Sequence, residues 1–279
     1  MVKQLIILFA ITFSFCGAHA QEATWTAWET EADTLMSHED FAGAAKLYTK
    51  VIDASKLQQR QDYRALYKRS VAYYSQGDFT NAVSDMDRFI PQFEESYQAR
   101  ILRALCYREL GETDKQLADV EKAVALSGGD PQILKWRAGL LIEKEEFNLA
   151  IKDLLVVRFM QDDPEVELNL GFAYYSVEKK DSALMAINKS IEMEPTFIPP
   201  YLYGSSFSLE EANYELAVKY ANVALMLEPT NATALFYKGV ALIELKKEDE
   251  ACSCLNRAFY AGQDDAKDYL MQYCYSVED

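Results

Sequence analysis

The stretch that decides the fold is residues 164–231, which consists of two copies of one 34-residue pattern. The first copy reads PEVELNLGFAYYSVEKKDSALMAINKSIEMEPTF over residues 164–197. The second reads IPPYLYGSSFSLEEANYELAVKYANVALMLEPTN over residues 198–231. Ala183 and Ala217 stand at the same position of the two copies. Apolar residues recur at helical spacing within each copy, so the pattern predicts a chain of repeated helical units.

Small residues and prolines mark fixed positions of this pattern. Gly171 and Gly239 occupy one small position, with Ser205 at the same place in the copy between them, and Pro195 and Pro229 end the second helix of their copies. A larger side chain at a small position would overpack the helix contact at a cost of about 1 to 3 kcal/mol. The twentieth residues of successive copies are Ala44, Ala82, Gln116, Ala150, Ala183, Ala217 and Ala251.

A 34-residue period with this spacing resembles the tetratricopeptide repeat (TPR), in which each unit is a pair of antiparallel helices. The resemblance implies an all-α, right-handed α-solenoid and a general role in holding another protein. One helix over 266–275 is expected to cover the last exposed apolar face. No stretch reads as a linker, so we expect a single domain over 21–279. The predicted repeats are 25–62, 63–96, 97–130, 131–163, 164–197, 198–231 and 232–265.

The first twenty residues read as a signal peptide. Lys3 precedes an apolar run from Leu5 to Cys16, which is shorter than the ~20 residues that span a bilayer, and Ala18 and Ala20 supply the small residues of a cleavage site. We therefore expect cleavage after Ala20 and a periplasmic or secreted protein without a membrane span. Lipidation at Cys16 is an alternative, but a bulky Phe15 does not match such sites.

The composition limits the class of partner. Half of the residues are hydrophobic, which excludes global disorder, and the formal net charge is −16, which repels phosphate backbones and makes nucleic acid an unsuitable partner. A simpler interpretation is that acidity keeps an aromatic-rich protein soluble. An acidic row recurs near the end of the first helices, and it favours a neutral or basic partner: Glu109, Glu143, Glu210 and Glu244.

The sequence contains few residues suited to catalysis or metal binding. After cleavage His38 is the only histidine, and it falls in a predicted turn. No phosphate-binding or zinc-protease motif is present, and Cys252 and Cys254 are too close to form a convincing zinc pair. We predict a non-enzymatic protein without a cofactor or metal. A carbohydrate-binding module and a hydrolase that uses two carboxylates are alternatives.

The predicted partner-binding groove is apolar and aromatic. In TPR solenoids, residues 2, 5, 9 and 12 of each first helix line the concave face. The alternative is that much of this stripe only packs the first helices against one another. Nothing here matches the basic clamp with which chaperone-binding TPR domains hold a carboxylate. The predicted groove residues are Tyr67, Val71, Tyr74, Ile101, Leu105, Ile142, Leu168, Phe172, Tyr175, Leu202, Phe236 and Val240.

The cysteines after the signal peptide have separate predicted roles. Cys252 occupies an apolar repeat position that should face the last helix, where Cys274 lies, so these two are the expected disulfide. Three reduced thiols near the C-terminus are the alternative. We expect Cys106 to be buried. Cys254 should project to the convex side, where other repeats carry Asp85, Asp119 and Asp153.

Overall fold

A computed structural model describes residues 24–57, 59 and 61–275 of the chain. These residues form fifteen α-helices and no strands, which confirms the predicted all-α fold class. The predicted signal peptide, residues 1–20, lies outside the described residues. The helices are α1 (24–37), α2 (Phe41–Leu57), α3 (Tyr63–Ser75), α4 (Phe79–Phe89), α5 (Tyr97–Glu109), α6 (Thr113–Leu126), α7 (Pro131–Glu143), α8 (Phe147–Met160), α9 (Pro164–Ser176), α10 (Lys180–Met193), α11 (Ile198–Glu210), α12 (Tyr214–Leu227), α13 (Ala232–Glu244), α14 (Glu248–Tyr260) and α15 (Ala266–Tyr269).

The helices fall into two compact halves. The N-terminal half ends at Ile133 and contains α1 to α6, and the C-terminal half begins at Leu134 and contains most of α7 and all of α8 to α15. Consecutive helices pack as pairs within each half: α3 with α4 and α5 with α6 in the first, and α9 with α10, α11 with α12 and α13 with α14 in the second. A single domain over 21–279 stays a prediction.

Capping residues set where the first helices of the repeats begin. The carboxylate of Asp62 accepts a hydrogen bond from the backbone of Ala65 at 2.9 Å, and Asp163 caps α9 through the backbone of Glu165, also at 2.9 Å. Such caps satisfy N–H groups that have no partner inside the helix. Each first helix after α1 starts at the first residue of a predicted repeat, and of these only α11 follows a residue, Phe197, whose side chain makes no cap. The six starts are Tyr63, Tyr97, Pro131, Pro164, Ile198 and Ala232.

In each repeat, one residue of the turn between the two helices has a positive φ. Gly77 and Gly111 take positive φ there, as glycine does readily. Five other repeats place a residue with a Cβ in the same left-handed conformation, which costs about 1 to 2 kcal/mol for each L-residue. Those residues are Glu39, Glu145, Glu178, Ala212 and Lys246, with φ between 57° and 62°.

The glycine or serine in the first helix of the last three repeats is small because the second helix of the same repeat packs closely against it. A Cβ on Gly171 would lie 2.7 Å from a side-chain carbon of Ile187, and at the same position Ser205 donates its hydroxyl to the carbonyl of Ala217 at 3.0 Å. The twentieth residues of the repeats are all buried, including Gln116 with 3% of its surface exposed. Close contact within each helix pair thus follows from the sequence pattern.

The prediction that Asp85, Asp119 and Asp153 face the convex side is wrong. Each is buried, and each accepts two hydrogen bonds from an arginine on the first helix of its own repeat. Cys254 stands at the equivalent position and is also buried, with 7% of its surface exposed. A carboxylate can be buried here because an arginine sixteen residues earlier pairs with it. The arginines are Arg69, Arg103 and Arg137.

The chain ends in a short segment that covers the last helix pair. After α15, the π-helical turn Leu270–Cys274 continues it, and Ala266 and Leu270 pack into the apolar cluster around Leu255. Cys274 forms a disulfide with Cys252 of α14, with a Cα–Cα distance of 5.7 Å. The segment is therefore tethered by packing and by a covalent bond.

A helix crosses a bilayer only if it has about 20 consecutive, mostly apolar residues. Within residues 24–57, 59 and 61–275, no helix combines the length and the apolar character needed to cross a membrane.

Candidate functional site

In the N-terminal half, the predicted groove residues pack between helices. Tyr67, Val71 and Tyr74 lie half-buried against an apolar cluster that includes Met86 and Leu102. The ring of Tyr67 also lies 5.2 Å from that of Phe89. On α5, Ile101 and Leu105 are half-buried as well. Packing between helices, the alternative to a binding role, thus explains why Tyr67, Val71 and Tyr74 are apolar or aromatic.

In the C-terminal half, five of the predicted residues line one aromatic surface on the first helices, namely Phe172, Tyr175, Leu202, Phe236 and Val240, whereas Leu168 and Ile142 line neither of its clefts. Leu168 is buried, whereas Phe172 and Tyr175 of α9 are half-buried. The ring of Phe172 lies 5.5 Å from that of Tyr203 on α11. Tyr175 stacks on Phe207 of α11 with ring centroids 3.9 Å apart and planes 4° from parallel. Ile142, Leu202, Phe236 and Val240 are also half-buried in this half of the chain.

This surface contains a cleft of about 460 Å³ between α9, α11 and α13, here called the Tyr203 pocket. Aromatic rings form most of its wall, and Ser206 and Thr233 provide hydroxyl groups. The pocket contains three of the predicted groove residues, Phe172, Tyr175 and Leu202. Its lining residues are Phe172, Tyr175, Leu202, Tyr203, Ser206, Phe207, Glu210, Thr233 and Tyr237.

A second cleft of about 330 Å³, here called the Tyr269 pocket, shares Ser206, Glu210 and Tyr237 with the first. The C-terminal segment supplies Tyr269, whose ring packs edge-on against Phe236 at 5.5 Å. The two pockets are therefore neighbouring parts of one surface. The remaining residues of the Tyr269 pocket are Leu209, Tyr214, Val240 and Glu244.

The charges of this surface are negative. The hydroxyl of Tyr175 donates a hydrogen bond to Oε2 of Glu210 at 2.9 Å. Burial, and then the hydrogen bond and charge of Glu210, raise the pKa of Tyr175 above its ordinary value of 10.0. The hydroxyl therefore stays a donor at neutral pH. The same hydroxyl also donates to Oε1 of Glu211 at 3.4 Å, and Glu211 forms an ion pair with Lys180 at 2.7 Å.

Sequence reasoning missed several residues of the two pockets. Tyr203 and Tyr237 stand 34 residues apart at the sixth position of successive repeats, so their recurrence could have identified them. Phe207 is a second missed residue, stacked beneath Tyr175. Tyr269 belongs to the capping segment, which does not follow the repeat pattern, so no spacing argument could have placed it.

Other candidate reactive groups have structural roles. Cys106 is fully buried, as predicted, and burial raises the pKa of its thiol to about 11. Lys135 of α7 pairs with Asp163 at 3.0 Å and with Glu165 at 2.8 Å. Among the residues described, no group of three or more His, Cys, Asp or Glu side chains is arranged to hold a metal ion.

Comparison with known families agrees with this architecture. A family model described as tetratricopeptide repeat matches residues 30–96 and 72–131, and another of the same description matches residues 233–260. The C-terminal part of a TPR repeat-containing protein from Cytophaga hutchinsonii has a similar structure, with a TM-score of 0.68 and 18% identity over 87% of this chain and 99% of that chain. The chain thus contains tetratricopeptide repeats and has the all-α TPR solenoid fold.

Two further proteins are similar to this chain. YrrB, described as a TPR protein with an unusual peptide-binding site, has a TM-score of 0.53 and 16% identity over 67% of this chain and 97% of its own. DnaJ homolog subfamily C member 3 of Gallus gallus is 21% identical over 204 residues, which are 73% of this chain and 34% of that protein. The chain spans about a third of the length of this curated relative.

Proposed function

We propose that this protein is a non-enzymatic interaction scaffold that binds a peptide or protein segment on the surface formed by the Tyr203 and Tyr269 pockets. The observation that carries the proposal is a pair of adjoining aromatic clefts across α9, α11 and α13. TPR folds commonly present such surfaces to other proteins. The similarity to YrrB, a TPR protein with a peptide-binding site, supports this type of ligand.

The rings in the pockets suit the role of binding anchors. Tyr203 has 36% of its surface exposed, and Tyr237 contributes to both pockets. Aromatic side chains on rigid helices lose little conformational entropy when they are covered, and they dominate the binding energy of many interfaces. A segment with apolar side chains would bury these rings.

Export is part of the same proposal. The signal peptide expected over residues 1–20 would direct the chain to the periplasm or the secreted space. Its support from the structure is indirect: the disulfide between Cys252 and Cys274 suits an oxidising compartment. Fractionation of cells that express the full chain, with N-terminal sequencing of the mature protein, tests this part. Recovery in the cytoplasm with an intact N-terminus would contradict it.

Capture of partners from an envelope extract of the source organism tests the binding role. The wild-type mature chain is compared with a variant that carries Tyr203→Ala and Tyr237→Ala. The matched control is Tyr260→Ala, because Tyr260 is 85% exposed and lies on α14, outside both pockets. We expect the wild type and the control to recover the same proteins and the pocket variant to lose them.

Two results would contradict the proposal. The pocket variant could keep its circular dichroism spectrum and still recover the same proteins, which would place the contact elsewhere. Alternatively, no protein could be recovered while a glycan array shows specific binding, which would assign the rings to sugar stacking.

A further inference from the structure

The two pockets lack any positive charge of their own. Their lining residues include no lysine or arginine, and the charged groups in the Tyr269 pocket are the carboxylates of Glu210 and Glu244. In the part of the chain that the structure describes, no ion pair joins either carboxylate to a basic side chain. Lys180 lies nearby in the fold but pairs with Glu211. The negative charge of the pocket is therefore not neutralised within the described protein.

The positions of these two glutamates do not favour folding. Glu210 is the last residue of α11 and Glu244 is the last residue of α13. Helix C-termini carry partial negative charge, so an anion there is destabilising. The hydrogen bond from Tyr175 fixes Glu210 without removing its charge. Glu109 and Glu143 end α5 and α7 in the same way but line neither pocket. Glu210 and Glu244 differ from them because both line one aromatic cleft.

Aromatic rings line the pocket together with the two carboxylates. Tyr214, Phe236, Tyr237 and Tyr269 line the same pocket of about 330 Å³. Ring faces attract an ammonium or guanidinium group, and the attraction increases when the cation loses water. Aromatic walls with two carboxylates form a site that complements a long apolar stem ending in a positive charge.

We propose that the Tyr269 pocket binds one lysine or arginine side chain of the partner segment, while the adjoining Tyr203 pocket takes an apolar side chain of the same segment. This assignment rests on the proposed peptide-binding function. It adds two requirements for the partner segment. The segment must contain a basic residue, and an apolar residue must lie close to that basic residue.

A random peptide library displayed on phage, panned on the immobilised mature chain, tests the assignment. The same library is panned on a Glu210→Gln, Glu244→Gln variant. The control variant, Glu192→Gln with Glu215→Gln, removes the same charge from exposed positions of α10 and α12 that lie outside the pockets. A selected peptide is then synthesised with its basic residue and with norleucine in its place.

We expect selected peptides to share a basic residue near an apolar one, and norleucine to weaken binding about tenfold. That difference should vanish in the pocket variant and persist in the control. Selection of apolar peptides without a basic preference would overturn this assignment and leave the peptide-binding function standing. Failure of the wild type to select any peptide would overturn both.

Discussion

The guanidinium group of Arg69 forms a two-pronged ion pair with the carboxylate of Asp85, with nitrogen–oxygen distances of 2.8 and 2.6 Å. Arg103 and Arg137 repeat the arrangement with Asp119 and Asp153. Arg69 and Asp85 are the seventh and twenty-third residues of their repeat. The last three repeats carry other residues at these two positions: Leu170 with Ala186, Gly204 with Tyr220, and Lys238 with Cys254. The ring of Tyr220 lies where a Cβ on Gly204 would come within 3.0 Å. The two positions therefore vary together.

Replacing Arg69 by leucine should destabilise the protein by about 3 to 5 kcal/mol, because it leaves the buried carboxylate of Asp85 without its main partner. Arg88, at 3.9 Å, is too distant to replace both hydrogen bonds. Adding Asp85→Ala reproduces the Leu170–Ala186 combination and should recover much of the loss. Urea denaturation of the two variants measures the difference. A double variant that is less stable than Arg69→Leu alone would show that the pair is not coupled.

The turn between α11 and α12 offers a stabilising substitution. Ala212 has a φ of 57°, which glycine adopts without strain. Ala212→Gly should stabilise the protein by about 0.5 to 1 kcal/mol after the greater freedom of glycine in the unfolded chain is deducted. Thermal denaturation checks the sign. The control is Ala118→Gly at an exposed position inside α6, which should destabilise; a loss of stability at both sites would contradict the account.

The sequence pattern predicted the helices well because the repeat is a local property. Small residues, caps and turns fix the helix pairs, and Pro164 or Ala232 could be identified as a helix start from neighbouring residues alone. The pockets were less predictable because they depend on which side chains meet across successive repeats. Phe172 and Tyr175 could be named from their helix positions, whereas Tyr269 comes from the capping segment. The buried Asp85 shows the same limit, since its partner is known only once the helices are paired.

The disulfide between Cys252 and Cys274 should stabilise the C-terminal segment. It closes a sequence separation of 22 residues, which contributes about 3 kcal/mol in the chain-entropy model. We expect a reducing agent to lower the melting temperature of the wild type and to leave that of a Cys252→Ser, Cys274→Ser variant unchanged. Equal melting temperatures for the oxidised and reduced wild type would contradict this contribution.

Glu244 should show opposite effects on stability and on binding. At the C-terminus of α13 its charge opposes the helix dipole, so Glu244→Gln should raise the melting temperature slightly while weakening a basic ligand. Glu248→Gln provides a control of opposite sign, because Glu248 lies in the first turn of α14. Differential scanning calorimetry at low salt measures both. A lower melting temperature for Glu244→Gln would show that this carboxylate supports folding.

The most direct measurement is the affinity of a captured partner segment for the Tyr237→Ala variant, by isothermal titration calorimetry. Tyr237 lines both pockets, so its truncation should weaken binding by about thirtyfold or more, equivalent to roughly 2 kcal/mol. Tyr260→Ala, the exposed control, should bind like the wild type. A folded Tyr237→Ala variant with wild-type affinity would contradict the claim that this aromatic surface is the binding site.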